Sequence, residues 1–434
     1  MPDVAGPPGA AEPPRPSPGA AGAELAAQSV RRAGWGFIAL FAGAYLGATL
    51  QLLAPLVVTL ALKVDSLVGS DRAPNSLALV TGIGAFLALF ANPFFGKLSD
   101  RTAGRYGMRR PWIVGGLLGG FVGLLVVAVA PTLPVVLLGW CLAQLLFNAL
   151  LAAMVAVLPD QIPSSQRGLV SGILGICLPV AAVTGTFLVQ LFTGNSVAMF
   201  LAPSAIGGFF VVLFAVTLHD RRLAAADRPA WSRREFAGAF YVSPRRNPDF
   251  GWAFASRFLF VLAYAFLVTY LAFYLLEQLG SGKSDVPRQI FTGTVVQAVF
   301  IVAASLLGGP LSDRTGRRKV FVVTASVVYG LAMFAVAVAA DFNGFLVGMA
   351  ISGLGFGLYM AVDLALVADV LTGADTAKEL GVFNVANALP FSIAPAMASA
   401  VLAVSGGSYG ALYVVAGVCA FAGAAAILPV RRVR

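Results

Sequence analysis

The sequence predicts an all-α integral membrane protein of about twelve transmembrane helices in two six-helix repeats. Three observations predict this fold: an apolar composition, apolar runs of membrane-spanning length, and a loop motif that occurs once in each half. Of the 434 residues, 59% are hydrophobic and only 11% are charged. A soluble domain is roughly one half apolar and one quarter charged, so lipid must solvate much of this surface.

The apolar runs follow a six–linker–six pattern. A bilayer core about 30 Å thick requires roughly 20 helical residues, and each run approaches or exceeds that length. The predicted spans are 35–62, 76–97, 112–130, 134–158, 168–192, 197–218, 252–276, 290–311, 319–340, 343–369, 381–404 and 408–428. They divide the chain into a disordered cytoplasmic N-terminal tail (1–30), an N-terminal half (31–218), a basic cytoplasmic linker (219–251) and a C-terminal half with a short basic tail (252–434).

Positively charged residues are concentrated in alternate loops. The chain carries 29 Lys and Arg against 19 Asp and Glu, a formal net charge of +10. With a cytoplasmic N-terminus, only Lys63, Arg72, Lys283 and Arg288 fall on the outer side. Because Lys and Arg accumulate in cytoplasmic loops, we predict a multi-pass protein of the cell (inner) membrane with both termini in the cytoplasm. Orientation in the lipid bilayer thus explains the excess of basic residues, and we expect no nucleic-acid partner. We also expect the protein to be a monomer.

Two landmarks occur in the same order in both halves. Gly96-Lys-Leu-Ser-Asp100-Arg101 follows the second predicted helix, and Gly309-Pro-Leu-Ser-Asp313-Arg314 follows the eighth. An acid, Asp160 or Asp369, then ends the fourth helix of each half. Duplicated halves with a site between them are typical of secondary transporters.

The paired loops predict a conformational latch on the cytoplasmic side. Asp100 can accept hydrogen bonds from a helix N-terminus, and the loop arginines can pair with acids such as Asp160. The alternative is a basic loop that only determines topology, but it does not explain why the same acid recurs. The predicted latch residues are Gly96, Asp100, Arg101, Arg105, Arg109, Arg110, Asp160, Gly309, Asp313, Arg314, Arg317 and Asp369.

These loops and the six–linker–six plan resemble the major facilitator superfamily over residues 31–430. The longer form of the loop, from Ser99 to Pro111, is similar to that of the glycoside–pentoside–hexuronide and sucrose-type sugar symporters. The resemblance implies alternating access, with the first, fourth, seventh and tenth helices lining a central cavity. It implies transport of a small-molecule solute, with a proton or another cation as the candidate coupling ion.

The chain departs from two patterns within that superfamily. The predicted fourth helix has no charge, and Gly175-Ile-Cys-Leu-Pro179 lacks the Gly-Gly ending of drug antiporters, so both features count against proton-driven drug efflux. Neither 76–97 nor 134–158 contains the carboxylate that such sugar symporters often use for the coupling cation. This absence counts against Na⁺ coupling and against the proton site that is familiar in those symporters.

Two ionisable residues inside the spans are the candidates for coupling. Arg257 lies in the seventh predicted helix and Asp363 in the tenth. Charges are costly in lipid, so such residues usually mark functional sites. We predict that they pair, and that protonation of Asp363 releases Arg257. The alternative is that Arg257 extends to the inner interface while Asp363 pairs locally.

Neutral polar side chains near the midplane are the substrate candidates. They match the donors and acceptors of a neutral sugar or glycoside, although hydrogen bonds between helices would use the same side chains. The predicted substrate-binding residues are Gln51, Gln144, Asn148, Tyr264, Thr269 and Tyr359.

No catalytic or metal-ligand spacing is recognisable in the sequence. We therefore predict a non-enzymatic protein without a cofactor or a metal. The predicted function is secondary active transport of a small neutral solute, with a sugar or glycoside favoured. The alternatives are efflux of drugs or metabolites, and a non-transporting membrane receptor on the same fold.

Overall fold

A computed structural model describes residues 33–220, 222–223, 247–370 and 376–431. The predicted N-terminal tail and most of the predicted linker lie outside these ranges. The side chains of Asp313 and Asp369 also lie outside the described part of the protein.

The described residues form an all-α bundle with twelve helices long and apolar enough to cross a membrane, which confirms the predicted fold class. The first half contains α1 Trp35–Val68, α2 Ala73–Asp100, α3 Arg110–Val129, α4 Leu133–Gln161, α5 Ser164–Leu191 and α6 Ser196–Thr217. The second half contains α7 Pro248–Gln278, α8 Val286–Thr315, α9 Arg318–Ala337, α10 Phe342–Val370, α11 Thr376–Val404 and α12 Tyr409–Ala426.

The two halves share one packing scheme. Helix α4 packs on α2 and α3, just as α10 packs on α8 and α9, and α1 packs on α5 and α6 just as α7 packs on α11 and α12. Glycines allow several close contacts of this kind: a Cβ at Gly123 would lie 2.6 Å from the Ala143 nitrogen, and one at Gly355 would lie 2.7 Å from the Tyr329 nitrogen. Small residues that let helix backbones approach are the usual basis of helix association in lipid.

The bundle has two ends, which we name by their loops. The terminal face carries residues 33 and 431 and the loop between α2 and α3, and the far face carries the loops 69–72 and 279–285. The ends of the second half meet at the terminal face, where the Arg431 backbone N–H donates to Asp249 Oδ1 at 3.1 Å.

Helix α1 is six residues longer than predicted. Its predicted end at residue 62 precedes two charges, Lys63 and Asp65, but the helix continues to Val68. Lys63 Nζ donates to the Ala128 carbonyl at the end of α3 at 2.9 Å, and Asp65 is also paired. Partners from other elements therefore let charged residues continue the helix.

The first helix of each half contains a π turn near the far face. These turns are Pro55–Thr59 in α1 and Tyr274–Gln278 in α7. A π turn changes the direction of the following turns and is frequent at functional sites.

The halves contact each other through α2 with α11 and through α5 with α8. A Cβ at Gly82 would lie 3.5 Å from the Ser392 carbonyl oxygen, and the rings of Phe187 and Phe291 lie 5.5 Å apart. The far-face ends of the halves are therefore in contact.

Candidate functional site

A buried ion pair joins α7 and α10 inside the C-terminal half. Arg257 Nη1 lies 2.9 Å from Asp363 Oδ2, and the two side chains are only 8% and 5% exposed. At 1.5 Å per residue, they lie about 14 Å and about 10 Å from the terminal-face ends of their helices. Arg257 lies nine residues after the start of α7, rather than the five expected from the predicted span, because the helix begins at Pro248 rather than at 252.

Two further polar groups hold this pair. Arg257 Nε donates to Asn387 Oδ1 of α11 at 2.9 Å, and the Tyr359 hydroxyl hydrogen-bonds to the Asp363 carboxylate. The Phe383 ring centroid lies 5.8 Å from the Arg257 guanidinium carbon, within the range of a cation–π interaction. Three helices thus fix the position of one buried charge pair.

Aromatic rings of α7, α10 and α11 follow the pair toward the far face. The Phe260 and Tyr359 rings are stacked with centroids 3.7 Å apart and planes within 6°. Tyr264 lies 4.5 Å from Phe356 and 6.2 Å from Phe391, ring centroid to ring centroid. We name Tyr264, Phe356 and Phe391 the aromatic cluster. Thr269 is buried five residues after Tyr264 in α7, farther from the terminal face.

The polar candidates of the N-terminal half are buried between its own helices. Gln51 has no exposed surface, and its Nε2 lies beside Gly208 of α6. Gln144 lies beside Gly84 of α2, and Asn148 Nδ2 donates to the Gln144 carbonyl at 2.8 Å. Both polar atoms of Gln51 and the Gln144 Oε1 have no hydrogen-bond partner among the described residues.

A second polar site lies at the terminal face of the N-terminal half. Arg109 Nη1 contacts Asp100 Oδ1 at 2.6 Å and the Ser99 hydroxyl at 2.8 Å, while its Nε contacts Asp160 Oδ2 at 2.8 Å. One guanidinium therefore joins the end of α2 to the start of α3 and the end of α4. Burial by itself would lower the Arg109 pKa, but hydrogen bonds to Asp160 and Asp100 raise the pKa above its ordinary value.

Asp220 also belongs to this site, although the sequence analysis did not predict it. Its Oδ2 accepts from the backbone N–H groups of Arg109 and Arg110, both at 2.7 Å. A carboxylate at the start of α3 interacts favourably with the helix dipole. The residue lies just after α6, more than 100 positions from the loop it binds, so no local pattern could indicate it.

Replacing Gly107 with alanine should destabilise this site. Gly107 has φ +94°, and a Cβ there would lie 2.3 Å from the Asp220 carboxyl carbon. We expect a loss of about 2 kcal/mol in the free energy of unfolding, because backbone strain and a steric clash combine. Thermal unfolding of the purified protein measures this loss. Gly104→Ala is the control, since a Cβ there would meet nothing within 4 Å; equal effects of the two substitutions would contradict the account.

The remaining predicted latch residues differ in their surroundings. Arg110 donates to the Leu218 carbonyl, and Arg105 lies beside Tyr106 on the exposed surface. Arg314 and Arg317 are exposed, and Arg101 is half-buried. A Cβ at Gly96 would make only an ordinary contact with Ala152, as one at Gly309 would with Ala361, so close helix approach does not explain either glycine.

A comparison with sequence profiles of protein families identifies the family. The profile described as Major Facilitator Superfamily matches residues 36–296 and 288–434. The chain belongs to the Major Facilitator Superfamily. It is a multi-pass membrane protein and a transporter of the kind found in this superfamily. A comparison with curated proteins gave no match.

Solved structures of other facilitators share the fold. The nucleoside transporter NupG superposes with a TM-score of 0.71 at 14% identity, covering 90% of this chain and 99% of its own. A POT family transporter in complex with a thioalcohol-conjugated peptide superposes with a TM-score of 0.71 at 11% identity, covering 92% and 98%. A bacterial homologue of the human lysosomal transporter Spinster gives 0.65 at 15% identity, covering 90% and 94%. At these identities the likeness shows the fold alone.

Proposed function

We propose that this facilitator is a proton-coupled secondary transporter of a small neutral solute, with a sugar or glycoside as the favoured class. It would lie in the cell membrane with its terminal face toward the cytoplasm. The observation that carries the proposal is the Arg257–Asp363 pair, which lies inside the bundle and is almost completely buried. A buried charge pair is expensive in lipid, and pairs of this kind usually serve ion or substrate movement.

Asp363 is the member of the pair that can change its charge. Arginine stays protonated in proteins, so a proton entering the site must bind the carboxylate. A protonated Asp363 no longer attracts Arg257, whereas Tyr359 and Asn387 still hold each partner near its place. Alternating access could then couple proton binding to rearrangement between α7 and α10.

Three features favour a neutral polar solute. The predicted lining contains one positive and one negative side chain, which compensate each other at 2.9 Å. Gln51 and Gln144 have amide atoms without a hydrogen-bond partner, which is unfavourable for a buried polar group. These atoms can form hydrogen bonds with a solute once the helices rearrange. The aromatic cluster offers flat apolar surface, which suits the C–H face of a sugar.

Solute counterflow in liposomes tests this proposal. Vesicles that contain purified protein and a trapped unlabelled solute would receive the same solute, labelled, on the outside. The solutes tested are disaccharides, glycosides, nucleosides, dipeptides and drugs. Nucleosides and peptides are included because solved structures with this fold include a nucleoside transporter and a transporter in complex with a conjugated peptide. We expect counterflow with a sugar or glycoside and none with nucleosides, dipeptides or drugs. Binding without counterflow would indicate a receptor, and drug-specific flux would indicate an efflux protein; either result contradicts the proposal.

The predicted cytoplasmic latch implies that Asp100 is needed for transport. In the conformation described, Asp100 contacts Arg109 but keeps 51% of its side chain exposed, so it can accept a further partner when the terminal face closes. We expect Asp100→Asn to reduce transport about tenfold, the equivalent of one hydrogen bond to a charged group, without changing membrane insertion. Asp71→Asn, an exposed acid on the far face, is the control. Normal uptake by Asp100→Asn would contradict the latch.

A further inference from the structure

A further ion pair connects the two halves at the far face. Lys283 Nζ, from the loop between α7 and α8, lies 2.5 Å from Asp65 Oδ2 near the end of α1. The proposed coupling pair and the Arg109 site each lie within one half, whereas this contact spans both.

The two partners differ in their surroundings. The Asp65 side chain is 2% exposed, and its other oxygen, Oδ1, accepts from the Ser70 hydroxyl at 2.9 Å. The Lys283 side chain is 65% exposed. Asp65 is therefore a buried carboxylate with a hydrogen bond from its own half and a counter-charge from the other half.

The contact lies close to both π turns. The π turn of α1 packs against α7, and Asp65 follows it by two helical turns. The π turn of α7 immediately precedes the loop that carries Lys283. Phe187 and Phe291 make a second contact between the halves, between α5 and α8. The far face is thus closed by the ends of the helices that would have to separate for it to open.

We propose that Asp65 and Lys283 form a far-face clamp, whose strength sets the balance between conformations with the far face closed and open. This inference rests on the proposed alternating access. Opening the far face separates the two halves and breaks the pair, while Ser70 stays with Asp65 because both belong to the first half. In the open state water would replace Lys283 around the carboxylate.

The clamp predicts unequal effects of removing its two charges. Lys283→Gln leaves a buried carboxylate without its counter-charge, which penalises the closed state strongly. Asp65→Asn leaves an exposed lysine in water and an amide that can still bond Ser70, so its effect should resemble that of a weak ion pair. We expect the open-to-closed ratio to rise about tenfold for Lys283→Gln and about threefold for Asp65→Asn. The double variant should match Asp65→Asn rather than exceed Lys283→Gln.

Pulsed electron paramagnetic resonance between spin labels on the two halves tests this ordering. Labels at Asn75→Cys and Asn343→Cys, two exposed far-face positions, would report the distance in a background with Cys141, Cys177 and Cys419 replaced by alanine. Arg288→Gln is the matched control, since it removes an exposed positive charge close to the same loop. A longer-distance population that grows in the stated order supports the clamp. Equal distributions for Lys283→Gln and Arg288→Gln, or a double variant that exceeds both single ones, would overturn it.

The distance measurement requires no substrate. If the distances change as expected but the protein does not transport a sugar, only the proposed substrate class is refuted. Sugar transport with unchanged distances would refute only the clamp.

Discussion

Replacing Asp363 with asparagine is expected to abolish proton-coupled accumulation of the solute. Asparagine has nearly the same shape and can keep the hydrogen bond with Tyr359, but it cannot bind and release a proton. It also leaves Arg257 as a buried charge without its partner at 2.9 Å. Removal of one member of a buried pair typically costs about 3–5 kcal/mol, so we also expect a markedly lower melting temperature. Uptake against a gradient and thermal unfolding measure the two effects.

A double variant separates coupling from stability. Asp363→Asn combined with Arg257→Gln removes both charges, so that no charge stays buried without its partner, and the two amides can hydrogen-bond to each other. We expect this variant to regain most of the lost thermal stability while solute accumulation stays absent. If the double variant also regained proton-driven accumulation, Asp363 would not be the coupling residue. If Asp363→Asn alone accumulated solute normally, the pair would serve only the fold.

Replacing Arg109 with glutamine is the second large expected effect. Its guanidinium contacts Asp100, Asp160 and Ser99, so its loss leaves two carboxylates around a missing cation. Both acids are partly exposed, which weakens their repulsion, and we therefore expect a loss of about 2 kcal/mol in the free energy of unfolding. Transport should fall as well, since α2, α3 and α4 lose their common contact.

Two further variants show which property of Arg109 matters. Arg109→Lys keeps the charge but loses the planar fork that reaches three partners, so its stability should lie between those of the native protein and the glutamine variant. Arg105→Gln changes an exposed arginine in the same loop, and it should alter stability by no more than about 0.5 kcal/mol. Equal losses for Arg105→Gln and Arg109→Gln would show that net loop charge, rather than this contact set, is important.

Much of the fold could be predicted because lipid imposes a simple rule on the chain. Apolar runs of spanning length predicted the twelve helices, and the second Gly-x-Leu-Ser-Asp-Arg loop predicted the repeat. The end of α1 was predicted wrongly because charged residues such as Lys63 and Asp65 usually lie where a membrane span ends at the lipid–water interface. Their partners, the Ala128 carbonyl and Lys283, are distant in sequence.

The candidate site could be predicted only in part. Arg257 and Asp363 were selected because ionisable residues are rare in the spans, and the structure brings them together. Asn387 and Tyr359 as their partners depend on the relative rotation of α7, α10 and α11, which no local pattern specifies. Gln51 shows the same difficulty, since its amide lies beside Gly208 within its own half, and its role in binding solute stays a prediction.

Solute-driven proton movement would show whether Asp363 couples transport to protons. Purified protein would be placed in liposomes that contain a trapped pH dye, and disaccharides or glycosides would be added outside. We expect internal acidification with the native protein and with Arg288→Gln, and none with Asp363→Asn. Uptake of the labelled solute without any pH change, or the same acidification by Asp363→Asn, would contradict it.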